Sequence, residues 1–151
     1  MNEVTETFLN KGNSNFILCA VFFAIFTVNA YFIIRKLIKG ELFTDKLKAV
    51  IKIATAIVCL VFSVNMITSG INLVKASNEI KNGELITVNG TVEKFTKSKN
   101  STTFWVNGES YTLFVNEDVI KTIYVNSGDE VTFVCTAETK YVLEIEYTDN
   151  E

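Results

Sequence analysis

The chain contains 151 residues, of which 48% are apolar, has a formal net charge of −3, and contains neither histidine nor proline. Without histidine it lacks the most common catalytic base and metal ligand. Its three cysteines lie far apart in the sequence, so they form no zinc-binding motif. We therefore predict no enzyme activity, no catalytic or metal-binding residues and no cofactor.

Two apolar segments dominate the first half of the chain. Residues 16–34 and 53–74 contain no charged side chain, and at about 1.5 Å per residue each can cross a hydrocarbon core of about 30 Å as a helix. A lone span in lipid has to be helical to satisfy its backbone hydrogen bonds. We predict a membrane α-helical hairpin, with an N-terminal tail over 1–15 and a basic loop, including the start of the second helix, over 35–52.

The loop between the spans is basic. It contains six basic and two acidic residues, whereas the N-terminal tail contains one basic and two acidic residues. Loops rich in lysine and arginine stay in the cytoplasm and attract anionic lipid. We therefore expect a two-pass protein of the cell membrane, with this loop in the cytoplasm and the C-terminal domain outside it. Thr44 is predicted to cap the second helix, with Asp45 in the first turn.

Polar residues within the spans follow helical spacing. Four of them share one face of the second span: Asn65, Thr68, Ser69 and Asn72. The first span has one amide, Asn29, and a face of small residues formed by Ala20, Ala24 and Thr27. Such faces pack membrane helices together, within one chain or between copies in a homo-oligomer. The alternative is a polar lining for a pore; a proton relay is not expected, because neither span contains an acidic residue.

Beyond a linker predicted over 75–84, apolar and polar residues alternate as they do in strands. The predicted strands are 84–95, in which Gly90 indicates a bulge or bend, 102–106, 109–114, 130–135 and 141–147. The dipeptide Asn107-Gly108 predicts a type I′ hairpin turn between two of them. Residues 117–123 are predicted to form a short helix capped by Asn116.

This order of elements predicts a small all-β domain over 85–147, an OB-like five-stranded barrel, followed by a tail over 148–151. An SH3-like barrel or a five-stranded meander remains open, because 119–125 could instead be a strand. Alternation assigns three groups of side chains to the core: Phe104 and Val106 with Tyr111 opposite Phe104; Val131, Phe133 and Cys135; and Tyr141, Leu143 and Ile145.

The other face of the predicted hairpin combines aromatic and hydroxyl side chains: Thr103, Trp105, Ser110, Thr112 and Phe114. Strands two and three form the usual binding surface of OB folds, so these residues are a candidate site for a protein or small ligand. Alternatively, they pack against another copy, the terminal helix or the membrane interface. Residues 75–151 include seven basic and thirteen acidic residues, which argues against nucleic acid as a partner.

Several short motifs occur in a fixed order in the C-terminal part: Gly90-x-Val92-x-x-Phe95, Phe104-x-Val106-Asn107-Gly108, Gly128-Asp129-Glu130-Val131 and Leu143-Glu144-Ile145. Residues 83–147 thereby resemble a small β domain of uncharacterised bacterial membrane proteins. The resemblance implies a shape and no enzyme activity. The architecture also resembles membrane-anchored OB proteins of the NfeD type, and anti-phage effectors whose β-barrel senses a cyclic nucleotide and whose helices disrupt the membrane.

Two functions from different classes follow. The first is a non-enzymatic envelope protein whose helices anchor an extracytoplasmic binding domain, an architecture that would suit immunity or exclusion against a toxin or phage. The second is an oligomeric membrane effector with a cytosolic barrel that senses a small nucleotide signal. In both cases the lipid bilayer is a partner of the helices. A structural subunit of a larger membrane complex is a third hypothesis.

Overall fold

The protein is described by a computed structural model that covers residues 2–39, 46–98, 101–114 and 125–147. They form two compact units, a helical unit over Asn2–Val74 and a second unit from Lys75 onward. The cap predicted at Thr44 and Asp45, the helix predicted over 117–123 and the tail over 148–151 lie outside the described residues.

The helical unit is built from two helices of 37 residues each, α1 (Asn2–Ile38) and α2 (Lys46–Asn82). The last eight residues of α2, from Lys75 to Asn82, belong to the second unit. Both helices are long and apolar enough to cross a membrane. They extend well beyond the predicted spans: the predicted tail over 1–15 is helical from Asn2, and the linker predicted over 75–84 is helical as far as Asn82. The acidic Glu3 in the first turn of α1 stabilises its start through the helix dipole.

A glycine ends α2. Gly83 adopts a left-handed conformation with φ of 72°. Its N–H donates to the carbonyl of Ile80, and the N–H of Glu84 donates to the carbonyl of Glu79. This pair of bonds is the Schellman motif, which satisfies the last carbonyls of a helix. The sequence Asn82-Gly83 therefore marks the true helix end, and α2 extends to Asn82, eight residues beyond the predicted span.

Buried and half-buried positions recur at alternating intervals of three and four residues along both helices. In α1 they are Gly12, Asn15, Cys19, Phe22, Phe26, Asn29, Ile33 and Lys36; in α2 they are Ala49, Lys52, Ala56, Cys59, Ser63, Met66, Gly70 and Leu73. This is the heptad spacing of a helix–helix seam. Contacts across it show that the helices are antiparallel: the side-chain amide of Asn15 donates to the hydroxyl of Ser69 at 3.1 Å, and the rings of Phe22 and Phe62 stack at 5.5 Å.

The seam is rich in small and polar residues, whereas large apolar side chains cover the outside of both helices. Those most exposed in the middle of each helix include Ile17, Val21, Phe23, Val28, Ile57, Val61, Val64 and Ile71. Small residues let helix backbones approach closely: a Cβ added at Gly70 would lie 3.0 Å from the ring of Phe16. This distribution is the reverse of that in a water-soluble helix pair.

The second unit contains a five-stranded sheet that closes on itself. Its strands are β1 (Leu85–Lys97), β2 (Ser101–Val106), β3 (Glu109–Phe114), β4 (Glu130–Thr136) and β5 (Tyr141–Tyr147). They pair in the order β1-β2-β3-β5-β4, and β4 pairs back to β1. All pairings are antiparallel except the short contact between β3 and β5.

The hairpin predicted at Asn107-Gly108 is present. Both residues have positive φ, 54° and 77°, as a type I′ turn requires. Tyr111 lies opposite Phe104 as expected. These two rings and that of Phe133 form the centre of the core, with ring centroids 4.8 to 6.2 Å apart.

Two sequence expectations about the strands were wrong. Gly90 pairs regularly with Val131, and the irregularity of β1 lies farther along, between Val92 and Lys94. Gly90 is required for a different reason: a Cβ there would lie 2.5 Å from a methyl of Val106.

The second error concerns the buried face of β5. Val142 is buried, whereas Tyr141 and Leu143 are only half-buried; Ile145 does pack against the core. The cause is a register shift in the pairing with β4, where Val134 faces Glu144 and Cys135 faces Val142, so that one residue of β5 is left over. Because side chains alternate between faces, a one-residue bulge exchanges the buried and exposed positions beyond it.

Candidate functional site

The outer face of β1, β2 and β3 gathers the candidate residues around Trp105. This side chain is half-buried on β2, with Lys94 directly opposite on β1 and Ser110 directly opposite on β3. The ammonium of Lys94 lies 4.4 Å from the centroid of the indole ring. Such cation–π contact fixes the ring on the sheet while leaving a charged group beside it.

Hydroxyl groups lie next to this aromatic centre. Thr103 and Thr112 face each other across β2 and β3, and their hydroxyl oxygens share a hydrogen bond at 3.4 Å. Thr96 on β1 faces Thr103. We call the resulting surface the outer platform, defined by Lys94, Thr96, Thr103, Trp105, Ser110 and Thr112.

Four of the five residues proposed from the sequence thus lie side by side on one surface. The fifth, Phe114, is paired through its backbone with Ser101, but its side chain is outside the described part of the structure. Sequence reasoning did not find Lys94 and Thr96. These two residues lie near Trp105 and Thr103 because of the register between β1 and β2. The bulge of β1 determines this register, and no local sequence motif predicts it.

The chemistry of the outer platform suits binding. It offers an aromatic surface, three threonine hydroxyls, a serine hydroxyl and one ammonium group, and it contains no carboxylate or thiol. It can stack against a flat or apolar group and exchange hydrogen bonds with a polar one. No cluster of three or more potential metal ligands occurs among the described residues.

The polar residues of α2 do not lie together in one contact. Ser69 is half-buried and accepts the hydrogen bond from Asn15 of α1. The other three, Asn65, Thr68 and Asn72, are exposed and point away from the seam. The predicted stripe therefore packs against α1 only along one edge.

The amide side chain of Asn29 lies in the seam between the helices, whereas the face of small residues on α1 lies outside it. Asn29 is half-buried in the seam and donates to the carbonyl of Ile25 in its own helix at 2.9 Å. Ala20, Ala24 and Thr27 are exposed. The small-residue face consequently takes no part in the contact between the two helices.

A buried carboxylate that sequence reasoning missed connects the end of α2 to the sheet. Glu79 is only 3% exposed. Its Oε2 accepts hydrogen bonds from the backbone N–H groups of Glu138 and Thr139 in the turn between β4 and β5, at 3.0 and 3.3 Å. Among the residues that the structure describes, its Oε1 has no hydrogen-bond partner. Lys75, one turn earlier, forms an exposed ion pair with Glu138. Glu79 therefore holds the last turns of α2 against the sheet.

Three residues of the motifs noted in the sequence, Asn107, Gly108 and Gly128, form hydrogen bonds with residues 89–93 of β1, at or next to its bulge. Glu93 accepts a hydrogen bond from the N–H of Gly108 through its carboxylate, at 2.8 Å. The N–H of Gly128 donates to the carbonyl of Val92, also at 2.8 Å, and the side-chain amide of Asn107 donates to the carbonyl of Asn89. These contacts join the two turns to β1, so Asn107, Gly108 and Gly128 have a structural role.

Two buried titratable groups in the core are held in their protonated forms. Burial raises the pKa of the Cys135 thiol to about 11. Burial, together with a hydrogen bond to Glu109, raises the pKa of Tyr111 to about 12. The ion pair with Lys140, followed by the bond from Tyr111, lowers the pKa of Glu109. A protonated, fully buried thiol is a poor nucleophile, so Cys135 is a packing residue.

Comparison with known proteins adds no family to this description. No protein-family model, no curated protein and no solved structure matches the chain. Function is therefore inferred from the chemistry of its own residues.

Proposed function

We propose that this protein is a two-pass membrane protein without enzymatic activity, whose closed sheet is an OB-like barrel that binds a protein or a small ligand outside the cytoplasm. The observation that carries this proposal is the outer platform, in which Trp105 lies among hydroxyl groups on the face of β2 and β3. The helices anchor this domain to the bilayer.

Membrane insertion is supported by the reversed polarity of the helical unit. Its large apolar side chains are outside and its small and polar ones are in the seam. Charged residues bracket the apolar part of each helix: Lys11 and Arg35 in α1, Lys52 and Lys75 in α2. Between them lie 23 and 22 uncharged residues, about 33 to 35 Å of helix, which matches the thickness of a bilayer core.

An OB-like barrel is supported by the order of the strands. The ring β1-β2-β3-β5-β4 with a parallel contact between β3 and β5 is the arrangement of a five-stranded Greek-key barrel of the OB type. A meander would contain only antiparallel neighbours in sequence order. OB folds bind ligands on strands two and three, which is where the outer platform lies.

The side of the membrane is tested by topology. Intact cells, or spheroplasts, that express the full chain with a C-terminal epitope are treated with protease, with lysed cells as the control. Since the loop over 35–52 is basic, we expect the epitope to be lost from intact cells. Its survival until lysis would place the sheet in the cytoplasm and refute the extracytoplasmic part of the proposal.

The binding surface is tested by replacing Trp105 with alanine in the full chain and measuring partner capture after cross-linking in cells. The matched control is Phe95→Ala, because Phe95 is also an exposed aromatic of this domain but faces Phe104, on the other side of β1 from Lys94. We expect Trp105→Ala alone to lose capture. Equal capture by a folded Trp105→Ala variant would refute the outer platform as the binding surface.

A second candidate, an oligomeric effector with a cytosolic sensor domain, is favoured by one observation. Asn65, Thr68 and Asn72 expose polar groups on the outside of α2, where oligomeric copies could line a conduit. Protection of the epitope in intact cells would support this candidate. Small nucleotides would then be the first ligands to test against the outer platform.

A further inference from the structure

We propose that α2 carries a self-association face through which two copies of this chain pair inside the membrane, α2 against α2. The face runs along one line of the helix: Ala54, Val58, Val61, Asn65, Thr68 and Asn72. This inference rests on the proposed membrane insertion, but it is independent of what the outer platform binds.

The first observation is two unpaired amides. Asn65 and Asn72 are exposed, and within the described residues neither side chain makes a hydrogen bond. Asn15 and Asn29, by contrast, are both bonded, to Ser69 and to the carbonyl of Ile25. A carboxamide offers two donors and an acceptor oxygen, and leaving them unpaired in hydrocarbon is unfavourable. Asn72 lies only three residues before Lys75, near the end of the uncharged segment, so this cost falls on Asn65.

The second observation is the depth of Asn65. It lies thirteen residues after Lys52 and ten residues before Lys75, with no charged residue between. At about 1.5 Å per residue, the nearest charged position on the helix is about 15 Å away. The contacts with α1 place Asn65 level with Cys19, inside the uncharged segment of that helix too, because Asn15 meets Ser69 and Phe22 meets Phe62. Neither water nor lipid head groups can reach its amide there.

The third observation is the pattern in which the amides occur. The six residues of the face follow intervals of four, three, four, three and four, and all are exposed. This is heptad spacing, and it forms a second seam on the side of α2 that α1 does not cover. Apart from the two amides, the face contains alanine, valine and threonine, which are small or β-branched and permit close packing of helices.

These features identify the occupant as a second copy. Copies inserted in the same orientation hold Asn65 at the same depth, so a two-fold contact between α2 helices brings each amide opposite its own equivalent. Carboxamides are self-complementary, because each can donate to and accept from the other. A polar asparagine within an otherwise apolar seam also fixes which register the two helices adopt.

The test is disulfide cross-linking of the full chain in native membranes with copper phenanthroline as the oxidant. Thr68→Cys places a thiol on the self-association face. Ile67→Cys places one at the same depth on an exposed position of the same helix, about 100° around the helix from Thr68 and about 140° from the centre of that face. Wild-type protein controls for the native cysteines, all three of which are buried. We expect a cross-linked dimer from Thr68→Cys and none from Ile67→Cys or wild type. Monomer from Thr68→Cys, or equal dimer from both variants, would overturn the proposal.

The role of the amide is tested in the Thr68→Cys background. Asn65→Leu removes it, and the pair Val64→Asn with Asn65→Val moves it onto another face without changing the composition of the span. An interhelical hydrogen bond in a membrane is weak but measurable, so each change should raise by about ten-fold the protein-to-lipid ratio at which half the chain cross-links. Unchanged cross-linking in the variant with the moved amide would show that the amide does not direct pairing and would overturn that part of the inference. Intact emission from Trp105, the single tryptophan, shows that the sheet remains folded in each variant.

Discussion

Replacing Gly90 with alanine should destabilise the sheet by about 1–3 kcal/mol, because the added methyl group has no room. Its Cβ would lie 2.5 Å from Cγ1 of Val106 and 3.0 Å from Oδ1 of Asn107. Carbon atoms pack at about 3.5–4.0 Å, so β1 and β2 have to separate by about 1 Å at this point. Val106 is fully buried and cannot turn outward to relieve the contact.

The assay is equilibrium unfolding of the full chain in detergent, followed through the fluorescence of Trp105. Because the chain has a single tryptophan and it lies in β2, the signal reports on the sheet and not on the helices. For a domain of this size each kcal/mol lowers the unfolding midpoint by about 4–8 °C, so the effect is readily measured.

A second substitution makes the reasoning specific. Val106→Ala on its own should destabilise the sheet by leaving a cavity. In the double variant, the methyl added at Gly90 occupies part of that cavity, so the combined loss should be smaller than the sum by about 0.5 kcal/mol or more. Wild-type stability of Gly90→Ala, or strictly additive losses, would refute the explanation by close packing.

Three further outcomes are expected from contacts in the same unit. Glu79→Ala should lower the free energy of unfolding of the sheet by about 2–4 kcal/mol, because two backbone N–H groups lose a charged acceptor. Lys75→Ala removes only an exposed ion pair and should have a much smaller effect in the same denaturation assay. Equal effects of the two substitutions would contradict the role assigned to Glu79. Cys135 should react with a maleimide only after denaturation, and rapid reaction of the folded chain would show that the thiol is accessible. As the pH rises from 9 towards 11, the free energy of unfolding should fall, because the folded state keeps the proton of Cys135 that the unfolded chain loses near pH 9.0. Cys135→Ala should reduce this fall in thermal melts recorded over a pH series. An unchanged pH dependence in the variant would contradict the contribution of Cys135.

The sequence predicted the strands well, because their signals are local. The turn at Asn107-Gly108 requires two residues of positive φ, and few dipeptides other than Asn-Gly provide them at low energy. Once that turn is known, alternation places Tyr111 opposite Phe104 without further information. Four of the platform residues follow from the same register.

The features that sequence reasoning missed depend on contacts between distant segments. The register shift between β4 and β5 places Val142 in the core instead of Tyr141 and Leu143, and nothing in the local sequence of β5 indicates this shift. The seam of the helices was also not recognised, because apolar residues occur on every face and hydropathy cannot mark the contact. Its signal was the heptad recurrence of small and polar residues such as Gly70 and Ser63.

The burial of Glu79 was missed for a third reason. A glutamate between two segments rich in asparagine and lysine is expected to be a solvent-exposed residue of a linker, since charged side chains are rarely buried. It is buried because the turn between β4 and β5 supplies two N–H groups at the place where α2 ends. Recognising Asn82-Gly83 as the end of the helix would have placed Glu79 inside α2, but its partners come from residues nearly sixty positions away.

The closure of the sheet has a consequence for how any partner can bind. A common way to recognise a peptide is to add it as an extra strand at a free edge, and this needs a row of unpaired backbone groups. Here β1, β2 and β4 each have neighbours on both sides, whereas β3 and β5 meet through only two residue pairs, Thr112 with Tyr141 and Leu113 with Val142. Among the described strands, an incoming peptide could therefore extend the hydrogen-bonded ladder only beside this short junction. Recognition elsewhere on the sheet has to use side chains, and the same closure protects the domain from edge-to-edge aggregation.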